Sequence, residues 1–225
     1  MNTSGEGIVK KLIWPLALLL SIGAGLLHAA AGKGQVDGLA ADQAAASIRI
    51  ADRIWQLAEL GYMEYESSTA LQDYLREAGF SVTAGVADIP TAFVATHGSG
   101  GPTIGILAEF DALPGLSQQA VPYRAPRIEN APGQACGHHL FGAASASAGI
   151  VLARWLDDND LPGTIKVFGT PAEEGGSGKV YLARAGLFDG VDAMLHWHPA
   201  SANSASPCST TSNKSGRFTF KGRAA

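Results

Sequence analysis

The sequence predicts an α/β fold, a sheet with helices on its faces, and three observations carry that prediction. Short apolar runs rich in β-branched residues alternate with longer segments whose apolar residues recur every three or four positions. Several of the apolar runs end in ionisable residues: Glu109 and Asp111, Glu173 and Glu174, His196 and His198. The 225 residues, 46% of them hydrophobic and 16% charged, suffice for one large α/β domain or two small ones with a substantial core.

Each element has its own signal. From Ala41 to Leu60 the residues Ile48, Ile50, Ile54, Leu57 and Leu60 follow helical spacing. "STALQDYLREAGF" reads as a second helix, with Ser67 or Ser68 as cap and Gly79 as stop. "SVTAGVA" and "TAFVATHG" read as strands, the second ending at the turn "GSGGP". "TIGILAEF" is a buried strand, followed by Asp111-Ala112-Leu113-Pro114-Gly115 and a long Pro-, Gly- and Gln-rich loop to about Gln134. "FGAASASAGIVLARWLDDND" is a helix of small residues with a closely packed face. "GTIKVFGT" is a strand leading into Pro171-Ala172-Glu173-Glu174-Gly175-Gly176, "GKVYLARAGLF" a helix and "DAMLHWHP" a strand. "GRFTFKGRAA" starts one more strand. Sheets of this kind bind ligands beyond the carboxyl ends of their strands, so the acidic and histidine clusters are expected to meet at one edge.

The N-terminus reads as a targeting segment. Lys10-Lys11 precede the apolar run from Leu12 to Leu27, and Ala29-Ala30-Ala31 offers a small-residue cleavage site, so residues 1–31 are expected to be a signal peptide. A membrane anchor is the alternative. The run is short of the roughly 20 apolar residues of a spanning helix, and Pro15 and two glycines interrupt it. Residues 32–40 are expected to be a flexible leader, and the mature protein to be periplasmic or secreted, without stable membrane association after cleavage. A formal net charge of -4 and the absence of a basic run argue against nucleic acid as partner.

The chemistry concentrates in "GQACGHHL", where Cys136, His138 and His139 stand almost side by side. Metal binding, a Cys/His nucleophile pair and an accident of a polar loop are the competing readings. Export also allows a Cys136–Cys208 disulfide. An adjacent pair such as Glu173-Glu174 is by itself usually a solvated surface feature, and a lone His196 or His198 a satisfied, partly buried histidine. Taken together, however, thiolate, imidazole and carboxylate are the ligand types of zinc. Adjacent carboxylates can divide the labour between holding a metal and taking a proton from water.

The motifs "LAEFDALPGLSQ", "ACGHHLFG", "GTPAEEGGSGKVYLARAGLFDGVDA" and "WHP" resemble the amidohydrolase branch of the zinc aminoacylase/carboxypeptidase superfamily, nearest its p-aminobenzoyl-glutamate hydrolase type. The resemblance runs from about Ile48 to the end of the chain. It implies a three-layer sandwich, a mixed central sheet with helices on both faces, as in zinc exopeptidases, with the catalytic part at residues 41–215. It implies two divalent metal ions, zinc or manganese, held by Cys136, His138, Glu174 and His198. Glu173 would be the general base. Asp111 would support the site from behind, and His139 and His196 would lie around it.

The implied reaction is attack of metal-bound water on an amide of a small N-acyl amino acid or aminobenzoyl-glutamate-like substrate, by an enzyme that is a homo- or hetero-oligomer. His139 departs from the Asp or Asn usual after "CGH". Relatives place a dimerisation lid domain after a strand like "FTFKGRAA", so residues 216–225 are expected to be that domain's first strand and the chain the front portion of a longer enzyme. The resemblance then implies that residues 1–225 alone are weakly active or inactive. A non-catalytic metal-binding fragment and a Cys136 thiol hydrolase are the alternatives.

Overall fold

The computed structural model describes residues 6–205 and 216–223, with side chains from residue 32 onward. Its centre is a five-stranded sheet in the order β1-β2-β4-β3-β5, formed by β1 (Ser81–Ala84), β2 (Phe93–Ser99), β3 (Thr103–Ala108), β4 (Gly163–Gly169) and β5 (Ala193–Leu195). The sheet is mixed. β3 runs parallel to both β4 and β5, whereas β2 runs antiparallel to β4 and to β1. This is the α/β architecture expected from the alternation of runs.

The connections place the helices. α3 (His138–Asp158) links β3 to β4 on one side of β3, and α5 (Gly178–Arg184) links β4 to β5 on the other. Parallel crossovers are right-handed, so steps in opposite directions along the sheet put these two helices on opposite faces. α1 (Glu6–Leu57) and α2 (Tyr65–Glu77) join α3 on its face. The core there collects Ile54, Leu71, Leu75, Phe80, Ile106, Ile150, Ile165 and Val167. The other face carries a smaller cluster around Leu182, Ile89 and Ala92, and Phe168 meets Phe188 edge-on at 5.1 Å.

Local expectations held for most elements and failed at some ends. α2 starts at Tyr65, so Ser67 and Ser68 lie inside it and neither is the cap. The preceding loop supplies the acceptor instead: the Glu59 carboxylate takes the Glu66 amide at 3.1 Å, the Ser67 amide at 2.8 Å and the Ser67 hydroxyl at 2.7 Å. Gly79, at φ +89°, ends α2 as expected. Ile48 follows the helical spacing but is 61% exposed.

Residues 32–40, read as a flexible leader, are helical within α1. Leu39 is buried, and Gln35 hydrogen-bonds Asp158 and Asn159 at the end of α3, so packing has overridden their glycine-rich composition. Residues 216–223 form no strand: Phe218 and Phe220 are exposed, and among the described residues no backbone pairs with them. The Cys136–Cys208 bridge that export would allow falls outside the described residues, as Cys208 does. The side chains of residues 1–31, read above as a signal peptide, are likewise outside them. Among the described residues, no helix is long and apolar enough to cross a membrane.

One contact ties α3 to the end of β3. A Cβ on Gly142 would lie 2.5 Å from the Glu109 carbonyl oxygen and 3.3 Å from Leu71. Gly142→Ala is therefore expected to destabilise the fold by about 1–3 kcal/mol through overpacking, read as a lowered midpoint in thermal unfolding. An unchanged midpoint would show that α3 can slide away from β3.

Candidate metal centre

Because β3, β4 and β5 are mutually parallel in their pairings, their carboxyl ends lie together, and the reversal of direction on the two sides of β3 opens a crevice there. Glu109 and Asp111 follow β3, the single turn α4 (Glu173–Gly176) follows β4, and His196 to His198 follow β5. The loop before α3 brings Cys136 and His138 to the same place. Gly137, left-handed at φ +88°, caps α3 and reverses the chain between the two ligand candidates.

His138 is the hub and is 0% exposed. Its Nδ1 lies 2.9 Å from Asp111 Oδ1 and 3.1 Å from the Asp111 carbonyl oxygen, so Nδ1 carries the proton and donates it, leaving Nε2 pointed into the crevice. Around Nε2 stand Glu109 Oε2 at 3.0 Å, Glu173 Oε2 at 3.9 Å and Glu174 Oε1 at 4.0 Å. On the other side, Cys136 Sγ is 3.3 Å from His198 Nε2, while His198 Nδ1 donates to the Pro199 carbonyl at 2.8 Å. Asp111 also accepts the Glu174 amide at 2.8 Å, so one buried carboxylate orients both the histidine and the acidic turn.

The donor atoms fit a metal. His138 Nε2, Glu109 Oε2 and Glu174 Oε1 are all buried; the first two face each other at 3.0 Å as an ion pair without an aligned hydrogen bond, and Glu174 Oε1 has no hydrogen-bond partner. Such groups are costly in a folded protein unless something occupies their lone pairs. Two trios of ligand atoms lie within 4.8 Å of one another among the described residues, Cys136/His138/His198 and Glu109/His138/Glu173. Sulfur, imidazole and carboxylate in these groupings are zinc-type donors.

The electrostatics point the same way. Burial alone would raise the Glu109 pKa, but contact with His138 and with the Lys179 ammonium holds it at about 2. Burial alone would lower that of His138, but Asp111 and Glu109 push it up to about 10. For Cys136, burial and then Glu174, Glu173 and Glu109 drive the thiol up to about 12. A thiol in such anionic surroundings yields a nucleophilic thiolate only with a compensating cation. Its contact with His198 therefore fits a metal ligand better than a nucleophile pair.

The expected residues do not all play equal parts. Glu173 and Glu174 lie equally near His138, yet Glu173 is 46% exposed and Glu174 17%. The inner, unpartnered Glu174 suits coordination and the solvent-facing Glu173 suits proton transfer, although Glu173 also belongs to one trio. His139 stays out of both trios. Burial lowers its pKa, and its amide donates to Gln134 Oε1. His196 closes on Glu109 Oε1 at 3.6 Å.

Sequence reasoning noticed Glu109 only as a charged strand end, although its i, i+2 spacing with Asp111 was a usable signal. Nothing local marked Lys179, Phe141 or Trp197. Phe141 sits edge-on to the rings of His138, His196, Trp197 and His198, and Trp197 Nε1 donates to Ser145 Oγ at 3.1 Å.

The acidic turn itself is held in a strained form. Ala172, just before Glu173, is left-handed at φ +57° and ψ +45°. That conformation costs a non-glycine residue roughly 1–2 kcal/mol.

Residues 105–211 match the model of the peptidase family M20/M25/M40. The chain is 44% identical over 179 residues to one of the subunits of p-aminobenzoyl-glutamate hydrolase from Escherichia coli (strain K12), covering 78% of this chain and 37% of that protein. It is 32% identical over 178 residues to the Xaa-Arg dipeptidase of Mus musculus, covering 73% of this chain and 37% of that one. Among solved structures it is similar to the Bacillus subtilis YXEP protein, a dinuclear metal-binding peptidase of the M20 family. That similarity has a TM-score of 0.53 at 26% identity, covering 68% of this chain and 43% of the other. The chain thus spans little more than a third of the length of these curated relatives.

Proposed function

Because residues 105–211 match the model of the peptidase family M20/M25/M40, we propose that the chain belongs to that family and contributes the metal centre of an amidohydrolase acting on a small N-acyl amino acid or an aminobenzoyl-glutamate-like substrate. One observation carries this reading: buried donor atoms of His138, Glu109 and Glu174, none of them in an aligned hydrogen bond, converge where the parallel strands end. Cys136, His138, Glu174 and His198 would hold two divalent ions, zinc or manganese. Once bound, such ions polarise a carbonyl and make water a nucleophile at neutral pH.

The chain's own groups supply the rest. Asp111 fixes the His138 tautomer and, through the Glu174 amide, the acidic turn. Glu173, facing solvent, takes a proton from the attacking water as the new carbon–oxygen bond forms. It returns that proton to the amine nitrogen as the carbon–nitrogen bond breaks, leaving a carboxylic acid and an amine. The kinship with a protein named as one subunit of a hydrolase makes a hetero-oligomer the assembly we favour.

The test is metal removal. A chelator is expected to abolish hydrolysis of p-aminobenzoyl-glutamate by the native gene product, and added zinc or manganese to restore it. Full turnover after exhaustive chelation would sink the reading. The pKa values fix a sign as well. Below about pH 10 the metal-free protein keeps the extra proton on His138, and below about pH 12 that on Cys136. Binding near pH 8 must displace both, so affinity should rise with pH. Calorimetry in buffers of differing ionisation enthalpy reads the protons released.

We also propose export. Mature protein should begin near Gly32 and be recovered outside the cytoplasm; N-terminal sequencing that finds Met1 on cytosolic material refutes this.

A further inference from the structure

The segment joining α1 to α2 is built against both acidic turns of the crevice. The Ala112 amide, next to Asp111, donates to the Glu59 carbonyl at 2.8 Å, and Leu60 forms a parallel bridge with Ala112. Tyr62 Oη donates to the Gly176 carbonyl at 2.6 Å, on the far side of the Glu173–Glu174 pair. Gly61 packs so closely that an added Cβ would lie 2.9 Å from the Ala172 Cα. At the end of the segment is Glu64, 0% exposed. Its Oε1 accepts the Ala172 amide at 2.8 Å, and its Oε2 accepts the hydroxyl of Thr91, itself buried, at 3.1 Å.

A charged residue is rarely fully buried, and here the chain supplies hydrogen bonds to both of its oxygens. The partner of Oε1, Ala172, immediately precedes Glu173 and is left-handed without being glycine, as Ser177 is at the far end of the turn. Strained backbone persists only where its surroundings over-determine it, and it gathers at functional sites. Glu64 contributes nothing to the crevice directly. Its reach is to the backbone that sets where Glu173 and Glu174 point.

We propose that Glu64 is a positioning residue, whose side-chain oxygen holds the Ala172 amide and thereby aims the Glu173–Glu174 turn at the metal centre. The proposal rests on the reading of that centre given above. What it needs from Glu64 is an acceptor at the Ala172 amide. Glutamine supplies one at the same reach, whereas alanine removes it and aspartate, one methylene shorter, withdraws it.

Residue-resolved amide hydrogen exchange and zinc affinity, measured against a chromophoric chelator, test this on the wild type and on Glu64→Ala, Glu64→Gln and Glu64→Asp. Glu64→Ala is expected to lose protection at Ala172 while β3 and β4 keep theirs, and to weaken zinc binding by roughly tenfold, as loss of a residue that orients ligands does. Glu64→Gln is expected to stay near wild type on both readouts. If Glu64→Ala does not fold, Glu64→Asp carries the same expectation. Unchanged protection at Ala172 in the shortened variants overturns the proposal. So does loss of protection spread evenly over the sheet, or a Glu64→Gln variant as damaged as Glu64→Ala. Zinc binding unaffected by both His138→Ala and Glu174→Ala would instead refute the metal reading, leaving exchange at Ala172 to decide the role of Glu64.

Discussion

His138→Ala is expected to weaken zinc binding by more than about 100-fold and to destabilise the metal-free protein by about 3–5 kcal/mol. The first figure exceeds the 10–100-fold cost of losing a residue that merely orients a ligand, because His138 takes part in both trios of candidate donor atoms. The second follows from what the imidazole separates. His138 sits between Asp111, 2.9 Å away, and Glu109, 3.0 Å away, and all three are buried. Removing it leaves Asp111 without its charge partner, and breaking such a buried pair costs about 3–5 kcal/mol.

The sign with pH follows from the raised pKa of His138. In metal-free protein, its ion pairs contribute fully below the unfolded value and are lost as pH rises through about 10. The difference between wild type and His138→Ala should therefore shrink from about pH 6.5 to about pH 10 and level off beyond it. Chemical denaturation from pH 6 to pH 10.5 measures it. A difference independent of pH would show that the histidine stabilises by packing against Phe141 alone.

Exchanging either member of the acidic pair for glutamine should separate their roles. Glu173→Gln is expected to reduce turnover by about 10²–10⁴-fold, the usual contribution of a general base, while metal content stays at the wild-type level. Glu174→Gln is expected to lose both together, because its inner oxygen has no hydrogen-bond partner for an amide to replace. The distances to His138, 3.9 and 4.0 Å, do not distinguish the two. Their exposure does, since a proton carrier must face water and the departing amine. Metal analysis of each purified variant beside single-turnover kinetics decides the matter. Metal lost from Glu173→Gln and retained in Glu174→Gln would reverse the assignment.

The amino-acid sequence determined much of this by itself. Period-two and period-3.6 apolar patterns depend on nearest neighbours along the chain, so the five strands and the main helices could be read before any contact was known. The same holds for the position of the acidic and histidine clusters, since strand ends are marked where apolar runs stop. Glu173, Glu174 and His198 stand at such ends, and Cys136 and His138 in the loop between two of the runs; it was the family resemblance that grouped the five as one site.

Where a helix begins, and whether a leader is ordered, depended on partners far away in sequence. Glu59 displaced the serines as the acceptor at the start of α2, and α3 drew residues 32–40 into a helix. Glu109 became part of the centre only because β3 lies between β4 and β5, bringing Lys179 from α5 and His196 from beyond β5 to one carboxylate. The division between Glu173 and Glu174 also came from tertiary structure. Adjacent identical side chains differ only in what surrounds them, and the strained Ala172 beside Glu64 turns one inward and leaves the other in water.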